Sequence, residues 1–185
     1  MTHFRFPKWL KQAAVASAIS TLLAANSATA AGLNLTGTLF DRVGQESQLD
    51  PHLLYSVALA ESARGGNQGI APSPWTLRVA DQPGYYANSR EEAVARLREL
   101  QASYRSIDIG LMQVNTRWNG HRVSDVETLL DPETGLRVGA TILQEAINSS
   151  PGDLALGIGR YYTWSDDVAA RRYGERVLHI YNNIR

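Results

Sequence analysis

The 185-residue chain contains no cysteine. That absence excludes disulfide frameworks, Cys-ligated zinc, iron–sulfur clusters, thiol catalysis and a lipid anchor on a processed cysteine. Lysine is nearly absent as well, occurring only as Lys8 and Lys11, so arginine carries almost all the positive charge. The 18 basic and 18 acidic side chains cancel, which removes the broad basic field expected of a nucleic-acid binder. No apolar run reaches the roughly 20 residues that span a bilayer. His52, His121 and His179 are scattered without ligand spacing, which speaks against a metal site. There is neither a phosphate-cradling glycine-rich loop nor a nucleophile elbow, so no cofactor is implied. What remains is an ordinary globular composition, 44% hydrophobic with 15 glycines and 7 prolines, in a length that suits one domain with a real core.

The first thirty residues differ from the rest. They hold no acid, begin with Arg5, Lys8 and Lys11, run through small and apolar residues over 13–25, and end in Ala28-Thr29-Ala30. A basic, then apolar, then small-x-small order is that of a cleavable export signal, with the mature chain expected to start at Ala31. Removing Arg5, Lys8 and Lys11 leaves 15 arginines against 18 acids, a formal charge of −3. The expected product is a periplasmic protein spanning residues 31–185, with no stable membrane span after cleavage.

The remaining pattern predicts a mainly α fold, a single helical domain with a small β-hairpin excursion. Leu39, Phe40 and Val43 mark a short first helix. Asp50-Pro51 reads as an N-cap followed by proline at the first helical position, with Gly65-Gly66 as the stop. Leu53, Leu54, Val57, Ala58 and Leu59 wrap nearly all sides of that helix, as in a buried central one. Trp75 to Val79 alternates, and a turn at Asp81-Gln82-Pro83-Gly84 precedes Tyr85-Tyr86; this is the one clear hairpin signal. Ser89 with Glu92 forms a capping box, Asp131-Pro132 opens another helix, and two more are expected over residues 154–162 and 166–183.

Three features bear on chemistry. Leu54, Val57, Ala58 and Glu61 stand at i, i+3, i+4 and i+7, so Glu61 continues an apolar stripe near a helix C-terminus. Desolvation and the negative end of the helix dipole both favour its protonated form, which a general acid for acetal cleavage needs; the alternative is a glutamate that reaches solvent at a helix end. Gly110-Leu111-Met112-Gln113-Val114-Asn115 offers either a buried stretch with satisfied amides or paired amides beside apolar walls, which suit an N-acetyl sugar. Tyr161-Tyr162 with Trp164 reads as core packing or as a sugar-stacking surface. Asp108, the acid closest in sequence to the second feature, is either a second carboxylate of a site or a solvated or capping side chain.

The order Ala60-Glu61-Ser62, Gly110-Leu111-Met112-Gln113-Val114-Asn115, Leu136 with Gly139, then Tyr161 resembles the lytic transglycosylases of the soluble-transglycosylase type. The resemblance is strongest to small members associated with conjugation and secretion systems. It implies a lysozyme-like fold and cleavage of peptidoglycan glycan strands between N-acetylmuramic acid and N-acetylglucosamine. It also implies Glu61 as the single acid/base supported by Ser62, Met112, Gln113 and Asn115 lining the saccharide groove, and Tyr161 beside the glutamate. The sequence departs from the pattern at Tyr162 and Gly135, where the family commonly has asparagine. It also places 48 residues between Glu61 and Gly110, so that 66–105 reads as an inserted flap or as a surface decoration. A hydrolase on the same fold and a non-catalytic wall-binding subunit are the competing functions.

Overall fold

The computed structural model describes residues 32–67 and 69–185; the expected export signal and its cleavage point lie outside them. Helix α1 (Leu39–Ser47) starts behind Thr38, whose hydroxyl accepts from the Asp41 N–H. Helix α2 (Pro51–Ser62) begins as the sequence predicts, with the Asp50 carboxylate accepting the His52 N–H at 2.8 Å. Leu54, Val57 and Ala58 have 0% of their surface accessible, so α2 is the buried central helix.

The helix stops at Ser62, earlier than the expected Gly65-Gly66, because Ala63 turns to an extended backbone. Ala63–Gly66 is strand β1, antiparallel to β2 (Gly69–Pro72), with Gly66 opposite Gly69. The two glycines thus sit near a hairpin tip rather than at a helix cap; glycine serves both purposes, and nothing local distinguishes them.

The expected hairpin is present as β3 (Thr76–Arg78) and β4 (Tyr85–Tyr86). It is not the only one. Strands β5 (Asp108–Ile109) and β6 (Val114–Asn115) extend it into a four-stranded antiparallel sheet ordered β4-β3-β5-β6. Two-residue strands are too short to reveal a period of two. Helix α3 (Arg90–Gln101) opens with the Glu92 N–H on the Ser89 hydroxyl at 3.2 Å. The Glu92 carboxylate, however, takes the Asn88 N–H and the Tyr85 hydroxyl, so only half of the capping box forms. Strand β3 is an interior strand of that sheet, and Leu77 and Leu97 belong to the main core.

Helix α4 (Thr116–Asn119) and two 3-10 turns, Gly120–Arg122 and Val126–Leu130, lead to α5 (Pro132–Asn148), capped by Asp131. Helices α6 (Leu154–Arg160) and α7 (Asp167–Ile184) pack on each other, and α7 also lies along α2. The Tyr181 hydroxyl on α7 donates to Asp50 at 2.8 Å, which ties the last helix to the N-terminus of α2. The result is the mainly α, lysozyme-like architecture with a small β excursion. No helix among the described residues is long and apolar enough to cross a membrane.

Candidate active site

Glu61 lies one residue before the end of α2, half-buried where that helix, α7 and the four-stranded sheet converge. Burial is the largest influence on its carboxyl and holds it above the usual glutamate range. A hydrogen bond from Tyr173 and the guanidiniums of Arg176 and Arg78 pull the other way, while the charge of Asp108 adds to the rise. A half-buried carboxyl whose pKa is raised by burial is suited to deliver a proton.

Tyr173 is the closest partner. Its hydroxyl donates to Glu61 Oε1 at 2.5 Å, which leaves Oε2 for a bound molecule. Tyr173 is buried on the face of α7 that also carries Ala170, Gly174 and Val177. Burial, followed by the Glu61 charge, holds its phenol well above the ordinary tyrosine value, so it stays a donor. The ring of Tyr162 stacks on it at 5.3 Å with an interplanar angle of 5°, and the Arg176 guanidinium lies 5.2 Å from its centroid. Arg176 also donates to the Ala60 carbonyl at 3.3 Å, holding α7 against the end of α2.

The motif Gly110-Leu111-Met112-Gln113 forms the turn between β5 and β6. Gly110 has φ +77, and a Cβ there would come within 2.5 Å of the Leu129 carbonyl oxygen, so the position demands glycine. Ser62 is buried; its hydroxyl donates to the Leu111 carbonyl at 2.8 Å and to Ala58 at 3.0 Å. It therefore acts on Glu61 by fixing the end of α2 to this turn, without touching the carboxyl. Tyr161 stands near enough for the Glu61 charge to act on its phenol, but its hydroxyl donates to the Met112 carbonyl at 2.6 Å.

The other residues expected on the groove wall divide. The Met112 side chain is wholly buried against Gly139 and presents no surface to a groove. Gln113, also buried, donates to the carbonyls of Thr76 at 3.1 Å and Gly110 at 2.9 Å, while its Oε1 is buried without a protein partner. Asn115 is half-buried at the open edge, donating to Asp108 at 2.7 Å and accepting from the Arg117 and Trp118 N–H groups at the start of α4. Asp108 is half-buried and caps no helix among the described residues. Burial raises its carboxyl, against the pull of the Asn115 amide and of Arg78.

Tyr173, Arg176 and Arg78 were not foreseen. The first two share the last helix, where a tyrosine on the stripe Ala170, Tyr173, Gly174, Val177 signals a ring with its polar tip at a buried partner. Arg78 was visible only as a polar member of an alternating strand.

A lysozyme-like fold presenting one desolvated glutamate beside a Gly-Leu-Met-Gln turn defines a class of glycan-cleaving domains. The chain matches the family model described as Transglycosylase SLT domain over residues 38–164, and it belongs to that family, whose members are peptidoglycan lytic transglycosylases. Tyr173 and Arg176 lie beyond the matched residues. No curated protein and no solved structure matches the chain.

Proposed function

We propose that the protein is an exported lytic transglycosylase that cuts peptidoglycan glycan strands between N-acetylmuramic acid and N-acetylglucosamine, with Glu61 as its only acid/base. The observation that carries this reading is the Glu61 carboxyl, desolvated and held at one oxygen by Tyr173, in a chain of the transglycosylase family. Glu61 gives its proton to the glycosidic oxygen as the bond to the muramyl C1 breaks. The resulting carboxylate accepts the proton of the muramyl C6 hydroxyl as that oxygen bonds to C1. A 1,6-anhydro ring forms, Glu61 regains its proton, and no water is consumed. The tethered hydroxyl outcompetes water because intramolecular nucleophiles have high effective molarity.

Asn115, with Gln113 behind it, and Tyr161, with Tyr162 beside it, would border the saccharide groove, Ser62 and Met112 acting through the backbone they hold. The site of action is periplasmic after cleavage of residues 1–30, and the biological purpose is local opening of the wall for a conjugation, pilus or secretion apparatus. Mass spectrometry of digested sacculi tests the reaction: products should be about 18 Da lighter than hydrolytic ones and resist borohydride, because the ring closes without water. Reducing ends as the main product would make the protein a hydrolase, a reading that draws on Asp108, whose charge acts on Glu61.

A further inference from the structure

We infer that the surface at α4, built from Arg117, Trp118 and Arg105, binds the peptide stems of peptidoglycan, with Arg117 taking a stem carboxylate. This rests on the transglycosylase reading and deepens it by naming a further part of the substrate and the residues that hold it. The starting point is an exposed tryptophan. Trp118 leaves 67% of its surface accessible, the largest value among the exposed large hydrophobic side chains described. Single exposed apolar side chains are ordinary, but an indole brings a large rigid face and is favoured where a surface is to be covered. Its place is set locally. Asn115 Oδ1 accepts the N–H groups of Arg117 and Trp118 at 3.0 and 3.3 Å, which pins the start of α4 to that amide. Asn115 also donates to Asp108, whose charge acts on Glu61. Helix α4 therefore begins at the border of the candidate site.

Arg117 and Arg105 bring positive charge to this border. Seven other arginines pair with acids, among them Arg122 with Glu145 at 2.6 Å. Among the described residues neither Arg117 nor Arg105 has an acidic partner. The chain as a whole is neutral, so these unpaired cations do not reflect a generally basic surface. The two residues come from adjoining segments: the Thr116 hydroxyl donates to the Arg105 carbonyl at 3.2 Å, and the Thr116 N–H to Ile107 at 2.9 Å. Both side chains are exposed. The Arg117 guanidinium lies 4.9 Å from the centroid of the Trp118 ring. Stacking of this kind holds the planar group yet leaves its in-plane N–H groups free, and a carboxylate takes those two at a time. A pair ordered before its ligand arrives loses less entropy on binding.

Peptidoglycan supplies the matching chemistry. Its muramyl residues carry peptides on their lactyl ethers, and these stems lead away from the glycan axis with free carboxylates and short aliphatic side chains along them. A strand lying in the groove sends its stems over the borders. At α4 a stem meets a guanidinium fork for a carboxylate and an indole face for its aliphatic part, with Arg105 adding to the attraction. A sugar stacked on Trp118 alone would leave both unpaired arginines without a purpose. No bond is made or broken here. The border lowers KM by holding the strand, and its exposed charges make that hold sensitive to salt.

The test compares two substrates: uncrosslinked glycan strands that bear stems, and the same strands stripped by an amidase, which keep only the lactyl carboxylate. Wild type should show a KM about 10-fold lower on the stem-bearing strands, the scale of one charge-assisted pair. That advantage should shrink as salt is raised. Arg117→Gln and Trp118→Ala should each remove most of it, raising KM on stem-bearing strands far more than they change kcat. Both side chains are exposed, so both variants should fold. Converting the stem carboxylates to amides should do to the wild type what Arg117→Gln does. Equal wild-type KM on the two substrates would overturn the inference. So would a loss of the same factor on both substrates in either variant, which would put that side chain on the sugar. A wild type that released no anhydro products from either substrate would sink the transglycosylase reading itself, a result read before any variant is made.

Discussion

Two tyrosines near Glu61 have different duties, and single hydroxyl deletions separate them. Tyr173 donates to Glu61 Oε1, whereas Tyr161 donates to the Met112 carbonyl. The Tyr173 bond lowers the Glu61 pKa against the larger effect of burial. Tyr173→Phe should therefore shift the alkaline limb of the pH–rate profile upward and lower kcat by about 10-fold, the loss expected when a proton donor is no longer oriented. Tyr161→Phe leaves a buried carbonyl unpaired, which costs about 1–3 kcal/mol, and should lower the melting temperature with little movement of the pH profile. Interchanged results would exchange the two roles. Glu61→Gln, which can still accept from Tyr173, should lose about 10² or more in the rate of muropeptide release, since an amide neither gives nor takes the proton. Release at the wild-type rate would remove Glu61 from the chemistry.

At the level of elements, helix starts were legible and strands largely were not. Asp50, Ser89 and Asp131 act as N-caps as their sequence positions imply, because a cap is a local interaction between neighbours in the chain. The sheet is held by pairings such as Leu77 with Ile109, thirty-two positions apart, and two-residue strands leave no periodic trace. For the same reason Glu61 was legible as a site residue, from its place on an apolar stripe, whereas Tyr173 was not: it reaches Glu61 across 112 residues.

The motif turn between β5 and β6 depends on contacts of this long-range kind. On α5, a Cβ at Gly139 would fall 2.5 Å from Met112 Cβ and Cγ. Those atoms are buried and close to the backbone, so they cannot swing aside. Gly139→Ala should destabilise the fold by about 1–3 kcal/mol through overpacking and displace the Met112 carbonyl that anchors Tyr161. Thermal melts and activity should fall together. A variant with unchanged melting and full activity would mean that the turn yields more freely than this packing implies.

Across the whole molecule, the site and the fold pull against each other, and pH exposes the conflict. The carboxyl of Glu61 has an ordinary value near 4.5 in the unfolded chain and a raised one in the folded protein. Between those two values the folded state holds the proton that the unfolded state has released, so stability falls as pH rises through that window. Below 4.5 both states are protonated and Glu61 imposes no such penalty. Asp108 is raised by burial too and contributes with the same sign, but it is present in wild type and in Glu61→Gln alike, so the difference between the two isolates Glu61 and its coupling to Asp108. The glutamine cannot ionise and retains the Tyr173 hydrogen bond as an acceptor. Glu61→Gln should therefore melt at a higher temperature than wild type at pH 7–8, with the gap closing as the pH is lowered toward 4.5. Melting curves at a series of pH values test this. A gap that stays constant with pH, or widens in acid, would show that the folded protein does not hold a proton on Glu61, and with it the account of Glu61 as a ready proton donor would fail.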